Sequence, residues 1–231
     1  YTPNRDDRTD QFSDFGTKNE VIANSNEGTM YFLKDSTEHI ILTGSWFDED
    51  PEVSPLHLIK EDGEWKLNNT EEIVIGYMNG PKFLNTDMDI VFPDQGLETG
   101  TAPYAGNHIR VASIDSENNI TWTQVSEKQV FYHCIAVHDI DGNGLNDIFA
   151  VSFDEFFIWK QTDEKVFEQT NVINAGRMSA IGIADLDGDN EPEMILGSYV
   201  AAYDYKTEFT IYSDNLEELT TANELTPIFT Y

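Results

Sequence analysis

A stretch near the middle of the chain, AVHDIDGNGLNDIFAVSFDEFFIWKQTDEKVFEQT (residues 136–170), holds every part of a unit that recurs along the sequence. A loop dense in acidic residues leads into the apolar run IFAVSF. The run FFIWKQ then leads through a polar turn into a segment that carries Phe167. Such runs are short and rich in β-branched and aromatic residues, and they indicate strands, whereas no long amphipathic pattern indicates a helix. The sequence therefore predicts an all-β fold.

Four segments share one plan, in which a strand, a tight polar turn and a second strand with an early aromatic residue follow one another. They are LHLIKEDGEWKL from Leu56, IRVASIDSENNITWTQV from Ile109, FFIWKQTDEKVFEQ from Phe156 and FTIYSDNLEEL from Phe209, and they begin 53, 47 and 53 residues apart. Another strand precedes each hairpin. A period near 50 residues with about four strands is typical of a β-propeller blade, whose faces are covered by neighbouring blades. A β-sandwich would explain the short strands but not the repeated plan.

This period divides the chain into approximate blades of four strands each. The blades are predicted at 21–70, 71–126, 127–170 and 171–220, with 221–231 as the start of a further blade or as a closing strand. Residues 1–20 are polar and lack apolar periodicity, so we expect a polar arm or tail there. The first residue is Tyr1 and not Met, and we expect a processed protein or a fragment.

Composition narrows the partners that the chain can have. Asp and Glu number 43 against 13 Lys and Arg, which gives a formal net charge of -30. This charge would repel a nucleic-acid backbone and anionic lipid, and no apolar run is long enough to span a bilayer. Cys134 is the only cysteine, so an intrachain disulfide and a cysteine-rich zinc site are both excluded.

Two acidic loops place oxygen-bearing residues at alternating positions before an apolar strand. In the first loop, positions 1, 3, 5 and 9 are side chains and position 7 offers a backbone carbonyl: Asp139, Asp141, Asn143, Asp147 and Leu145. The second loop repeats this order 46 residues later with Asp185, Asp187, Asp189, Glu193 and the carbonyl of Glu191. Alternating oxygens in a curled loop suit a hard cation, and Ca²⁺ suits them better than the smaller, octahedral Mg²⁺. An EF-hand is excluded because position 12 is Ala150 or Leu196 and not Glu. Two Ca²⁺ sites are therefore predicted.

The pattern D-x-D-x-N-G-x-x-D followed by an apolar strand resembles the FG-GAP/VCBS repeat, the calcium-binding blade of integrin α-subunit β-propellers and of many secreted propeller proteins. The second loop departs from it at Asn190 and Glu193. A weaker copy has Asp89 at position 9 but Pro81 and Phe83 at positions 1 and 3, so we do not expect it to bind in the same way. Integrin-like propellers have more blades than the four visible here, so the chain is expected to be a fragment or an incomplete ring.

The resemblance implies an extracellular or surface-displayed module that uses calcium structurally, binds a protein or glycan in adhesion, and is not an enzyme. Two alternatives stay open: a structural subunit of an extracellular filament, since an unclosed ring has open edge strands, and a carbohydrate-binding or carbohydrate-active propeller. No nucleophile elbow, zinc-binding HExxH or phosphate-binding glycine loop is present. Sequons at Asn68 and Asn119 are candidate glycosylation sites.

Overall fold

The computed structural model describes residues 29–42, 55–68, 77–78, 81–85, 89–96, 106–152, 154–175, 178–189, 191–198, 209–212, 216–225 and 227–230. The predicted arm at 1–20 and Asn190 of the second acidic loop lie outside these residues. The described residues form seventeen strands: β1 Thr29–Lys34, β2 Thr37–Leu42, β3 Leu56–Glu61, β4 Glu64–Leu67, β5 Tyr77–Met78, β6 Lys82–Phe83, β7 Ile90–Gly96, β8 Ile109–Ile114, β9 Ile120–Gln124, β10 Cys134–His138, β11 Asp147–Val151, β12 Glu155–Asp163, β13 Val166–Asn174, β14 Met178–Ala184, β15 Glu193–Ser198, β16 Phe209–Tyr212 and β17 Pro227–Thr230.

The strands form four antiparallel sheets in chain order, which confirms the all-β prediction. The first is β1-β2-β3-β4, the third is β10-β11-β12-β13 and the fourth is β14-β15-β16-β17. The second is β5-β7-β8-β9, with β6 also paired to β7. Every pairing is between antiparallel neighbours, as short connections allow. No helix in the described part of the chain is long and apolar enough to cross a membrane.

Local sequence explains three of the predicted hairpins, β3–β4, β8–β9 and β12–β13, all of which are confirmed. Their turns contain residues with positive φ: Asp62 (54°) and Gly63 (84°), Asn118 (66°), and Lys165 (57°). Gly, Asn and Asp enter this left-handed region at low cost, and for Lys165 the surrounding hairpin must stabilise it. Turn chemistry and two-residue periodicity therefore point to the same hairpins.

The core lies between successive sheets. One buried cluster joins the first and second sheets, a second joins the second and third, and a third joins the third and fourth. All five residues of β11 are buried, because alternate side chains enter the clusters on both of its faces. The outer strand β13 consists of exposed and partly buried residues except for Ile173, which is buried. Each of these clusters, among the described residues, links sheets that follow one another in the chain.

The fourth predicted hairpin, FTIYSDNLEEL, is wrong. After β16 the chain forms a 3₁₀ helix at Leu216–Thr220, and the partner of β16 is β17, which lies in the segment 221–231. Leu216 and Leu219 are buried in the cluster between the third and fourth sheets, while Glu217 and Glu218 stay exposed. Burial of two leucines three positions apart favours a helical turn over an alternating strand.

Candidate metal centres

The two acidic loops occupy the same place in the third and fourth sheets. Each loop connects the first strand of its sheet to the second: residues 139–146 join β10 to β11, and residues 185–192 join β14 to β15. The cross-strand pair that closes each loop is also equivalent, His138 with Asp147 in one and Ala184 with Glu193 in the other. Position 9 is therefore the first residue of the second strand in both sheets.

The first loop curls so that its acidic side chains converge. One carboxylate oxygen from each of Asp139, Asp141 and Asp147 lies within 4.8 Å of the others. The backbone N–H of Gly144 donates to Asp139 Oδ2 at 2.8 Å, and that of Asn143 donates to Asp139 Oδ1 at 3.1 Å. The curl depends on two glycines in the left-handed region, Gly142 (φ 70°) and Gly144 (φ 87°). The loop is thus folded around its own oxygens.

Asp147 is the buried member of this cluster, with no exposed surface. Its Oδ2 accepts the N–H of Ile140 at 2.9 Å and its Oδ1 accepts the N–H of Gln161 at 2.8 Å. Burial raises the pKa of the Asp147 carboxyl, the two N–H donors oppose this rise, and the charge of Asp141 adds to it. The Lys160 ammonium lies 3.2 Å from Asp141 Oδ2. The side chain of Asp147, at the start of β11, therefore ties the loop to β12.

The remaining predicted ligands of the first loop are the side chain of Asn143 and the carbonyl of Leu145. Asn143 Oδ1 accepts the N–H of Leu145 at 2.7 Å, and Asn143 Nδ2 donates to the Gln161 carbonyl at 3.2 Å. Leu145 is partly buried and supplies its carbonyl from the backbone. Asn146 Nδ2 donates to the Leu84 carbonyl at 2.6 Å, which links the loop to the second sheet.

The second loop is built in the same way but is more exposed. Carboxylate oxygens of Asp185, Asp187 and Asp189 lie within 4.8 Å of one another, and all three residues are exposed. Successive backbone N–H groups donate into the cluster: Gly188 to Asp185 at 2.7 Å, Asp189 to Asp187 at 3.1 Å and Glu191 to Asp189 at 2.8 Å. The third aspartate of this cluster comes from position 5, where the first loop has the amide of Asn143.

The acid at position 9 accepts the backbone N–H of position 2 in both loops. Glu193 is 4% exposed, and its Oε2 accepts the N–H of Leu186 at 2.6 Å, as Asp147 accepts the N–H of Ile140. Leu186 and Ile140 both stand at position 2 of their loops. Glu193 is not within the cluster of three carboxylates in the second loop. Its longer side chain ties the loop to the sheet through that N–H.

The weaker copy at Asp89 has a different partner. Asp89 is buried beside the start of β7, where Asn85 Nδ2 donates to its Oδ2 at 2.8 Å. The Lys165 ammonium, from the β12–β13 turn of the third sheet, lies 3.6 Å from the same oxygen. Phe83 lies in β6. A lysine therefore supplies the positive charge next to this acid.

The two sequons lie at the junction of the first and second sheets. Asn68 Nδ2 donates to the Asn118 carbonyl at 2.6 Å, and Asn119 Nδ2 donates to Asp115 Oδ2 at 3.1 Å. Both residues are partly buried, and the other two residues of the first sequon lie outside the described residues. Glycosylation of either asparagine stays a prediction.

Several contacts around the loops were not visible in the sequence. The N–H groups of Ile140 and Leu186, the backbone of Gln161 and the ammonium of Lys165 come from positions without an acidic motif. Only the common placement at position 2 of the loop could have indicated the N–H groups of Ile140 and Leu186.

A scan of protein-family models found no match to this chain, and a search of curated proteins found none either.

Proposed function

We propose that the chain is a calcium-stabilised β-propeller-type repeat module, displayed outside the cell, that binds a protein or glycan. The observation that carries this proposal is the pair of equivalent loops. Each brings three carboxylate oxygens within 4.8 Å of one another, and each anchors its position-9 acid through the N–H of position 2. Two copies of one arrangement, in the same place in successive sheets, favour a shared cation-binding role over two unrelated acidic turns.

The chemistry of the donors selects the ion. All side-chain donors are carboxylate or amide oxygens, which hard cations prefer and soft thiophilic metals do not. Both loops are curled chains with carbonyl, amide and carboxylate oxygens at alternating positions, which suits the larger and more adaptable shell of Ca²⁺. The ion would neutralise the mutual repulsion of Asp139, Asp141 and Asp147 in one loop and of Asp185, Asp187 and Asp189 in the other.

Calcium in these loops would act on folding and not on catalysis. Each loop joins the first strand of a sheet to the buried second strand, so an ion bound in the folded loop stabilises the sheet through its binding free energy. Extracellular modules bind Ca²⁺ with a Kd of about 10⁻⁴ to 10⁻³ M, which the calcium concentration outside cells is able to fill. A weak calcium site can therefore be filled outside the cell, which supports an extracellular location.

The propeller architecture is supported by the order in which the sheets pack. Four antiparallel sheets follow one another in the chain, and buried clusters join the first to the second, the second to the third and the third to the fourth. The resemblance of the loops to FG-GAP/VCBS repeats supports the same architecture. Loops that connect strands at one rim of such a stack would form the binding surface.

The test compares the thermal unfolding of the protein in EDTA, in Ca²⁺ and in Mg²⁺ at equal ionic strength, followed by glycan-array and protein-array binding in Ca²⁺ and in EDTA. We expect Ca²⁺ to raise Tm more than Mg²⁺, and array binding to require Ca²⁺. Equal increases in Tm with the two ions would argue against calcium as the specific ligand of the loops. Array binding that persists in EDTA would show that ligand recognition does not depend on calcium in the loops.

A second candidate, a structural subunit of an extracellular assembly, is favoured by one face of the first sheet. Tyr31 and Leu33 are 55% and 52% exposed on β1, on the face opposite Phe32, which packs toward the second sheet. Large exposed apolar side chains on one face are typical of association surfaces. Sedimentation analysis tests this candidate: a monomer at all concentrations would count against it.

A further inference from the structure

Two histidines are buried together in the joint between the first and second sheets. His39 on β2 is 0% exposed and His57 on β3 is 1% exposed. Their rings stack with centroids 5.2 Å apart and planes 6° apart, and His39 Nδ1 lies 3.0 Å from His57 Nε2. Phe32 also stacks on His39, with ring centroids 5.0 Å apart. The pair therefore sits inside an aromatic stack, away from both acidic loops.

The joint around this pair is otherwise mostly apolar. From the first sheet, Phe32 and Ile41 enter the cluster. The second sheet contributes Ile90, Phe92, Ala112, Ile114 and Ile120. Phe83 meets Phe32 edge-on at 5.8 Å. A charge placed on either imidazole would face hydrocarbon on the side of the second sheet, which is costly without a partner of opposite charge.

The charged groups near the pair favour neutral rings. Lys34 on β1 repels a proton on His39, while Asp35 in the adjoining turn favours one. The Lys34 ammonium itself donates to the Ile114 carbonyl across the joint and acts on Asp115 of the second sheet. Glu38 and Lys60 form an ion pair at 2.8 Å on the other face of the first sheet. Of these charges only Asp35 favours a protonated pair, and it acts less strongly than Lys34.

The contact between the two rings needs one N–H group and one lone pair at neutral pH. One ring must donate and the other accept across the 3.0 Å contact. His39 Nε2 is buried without a hydrogen-bond partner among the described residues. The backbone of Asn68 interacts with the His57 ring and favours a proton there, but this effect is smaller than those of burial and of His39. Two added protons would set two N–H groups and two positive charges face to face.

We propose that the His39–His57 pair makes the joint between the first and second sheets acid-labile: the joint is closed when both rings are neutral and opens when the pair takes up protons. Burial lowers the pKa of His57 from 6.5 to about 4, with repulsion by His39 as the second cause. Burial also lowers the pKa of His39, and Lys34 adds to this. The open form takes up protons as the pH falls below 6.5, whereas the closed form takes them up only at lower pH, so acid favours opening.

The experiment measures amide hydrogen exchange in the calcium-saturated protein at about pH 7.5 and about pH 5, corrected for intrinsic exchange. His57 alone should raise the opening constant of the first sheet by about 30-fold over this interval, and His39 should raise it further. Strands β15 and β16 of the fourth sheet, whose segment of the chain contains no histidine, serve as the internal reference. We expect β1–β4 to lose protection by at least this factor more than the reference.

A double variant, His39→Phe with His57→Phe, supplies the matched control, since it keeps aromatic rings in the stack but cannot be protonated. We expect its first sheet to show no extra loss of protection at acid pH, while all other histidines are retained. Equal protection of β1–β4 at both pH values in the unaltered protein would overturn the proposal, as would the same extra loss in the variant. If the variant does not fold, imidazole NMR of the unaltered protein decides: both rings titrating near pH 6.5 in the folded state would overturn it, and rings neutral until the joint opens would support it.

Discussion

The substitution Asp139→Asn should stabilise the protein in EDTA and destabilise it in Ca²⁺. An oxygen of the Asp139 carboxylate lies within 4.8 Å of oxygens on both Asp141 and Asp147. Each such pair repels by about 0.9 kcal/mol at the dielectric constant of water, so removing the charge relieves about 2 kcal/mol. The amide loses one of the two N–H contacts, from Gly144 or Asn143, at a cost of about 1 kcal/mol. The variant should therefore be about 1 kcal/mol more stable in EDTA.

Calcium reverses this difference because the variant lacks one charged ligand. A site with a Kd of about 10⁻⁴ M gains about 2 kcal/mol at about 5 mM Ca²⁺, so loss of the site leaves the variant about 1 kcal/mol less stable than the parent. Urea unfolding in EDTA and in Ca²⁺ measures both values. Asp163→Asn is the matched control, because Asp163 also accepts one backbone N–H, at 2.8 Å, but lies outside the cluster. Equal destabilisation of the Asp139 variant in both conditions would refute the reasoning.

Two further predictions concern residues outside the acidic loops. Burial lowers the pKa of His133 from 6.5 to about 4, so its contribution to stability is present above pH 6.5 and is lost as the pH falls toward 4. In urea unfolding, His133→Leu should lose about 2 kcal/mol less than the parent between about pH 7.5 and pH 5, because the contribution of His133 is removed while that of the His39–His57 pair is retained; an equal loss in both proteins contradicts this. Gly106→Ala should cost about 3 kcal/mol or more, because φ is +68° and a Cβ would lie 1.9 Å from the Val130 carbonyl carbon. Gly63→Ala, with φ +84° and open space, should cost only about 1 kcal/mol, and equal costs by urea unfolding would contradict the clash.

Local signals were sufficient for most of the fold. The hairpins β3–β4, β8–β9 and β12–β13 could be predicted because alternation and turn residues act over neighbouring positions. The 3₁₀ helix at Leu216–Thr220 could not, since it depends on burial of Leu216 and Leu219 against the third sheet. A pattern of residues does not show which distant surface will cover it.

The contacts of the candidate site are likewise of two kinds, local ones that the sequence predicts and long-range ones that it does not. Alternating oxygens from Asp139 to Asp147 are a local pattern, and the loop brings three of them together. The contact of Lys165 with Asp89 and the pairing of His39 with His57 depend on sheet packing and register, which short sequence windows do not contain. Such long-range partners decide whether a buried charge is compensated.

Calorimetric titration of the chelated protein with Ca²⁺ tests the central claim most directly. We expect about two ions per chain, and loss of about one ion in each of the variants Asp139→Ala and Asp185→Ala, because each removes a carboxylate from one of the two clusters. The remaining site in each variant should bind as it does in the parent. No heat of binding, together with a Tm that EDTA leaves unchanged, would contradict the calcium account of both loops.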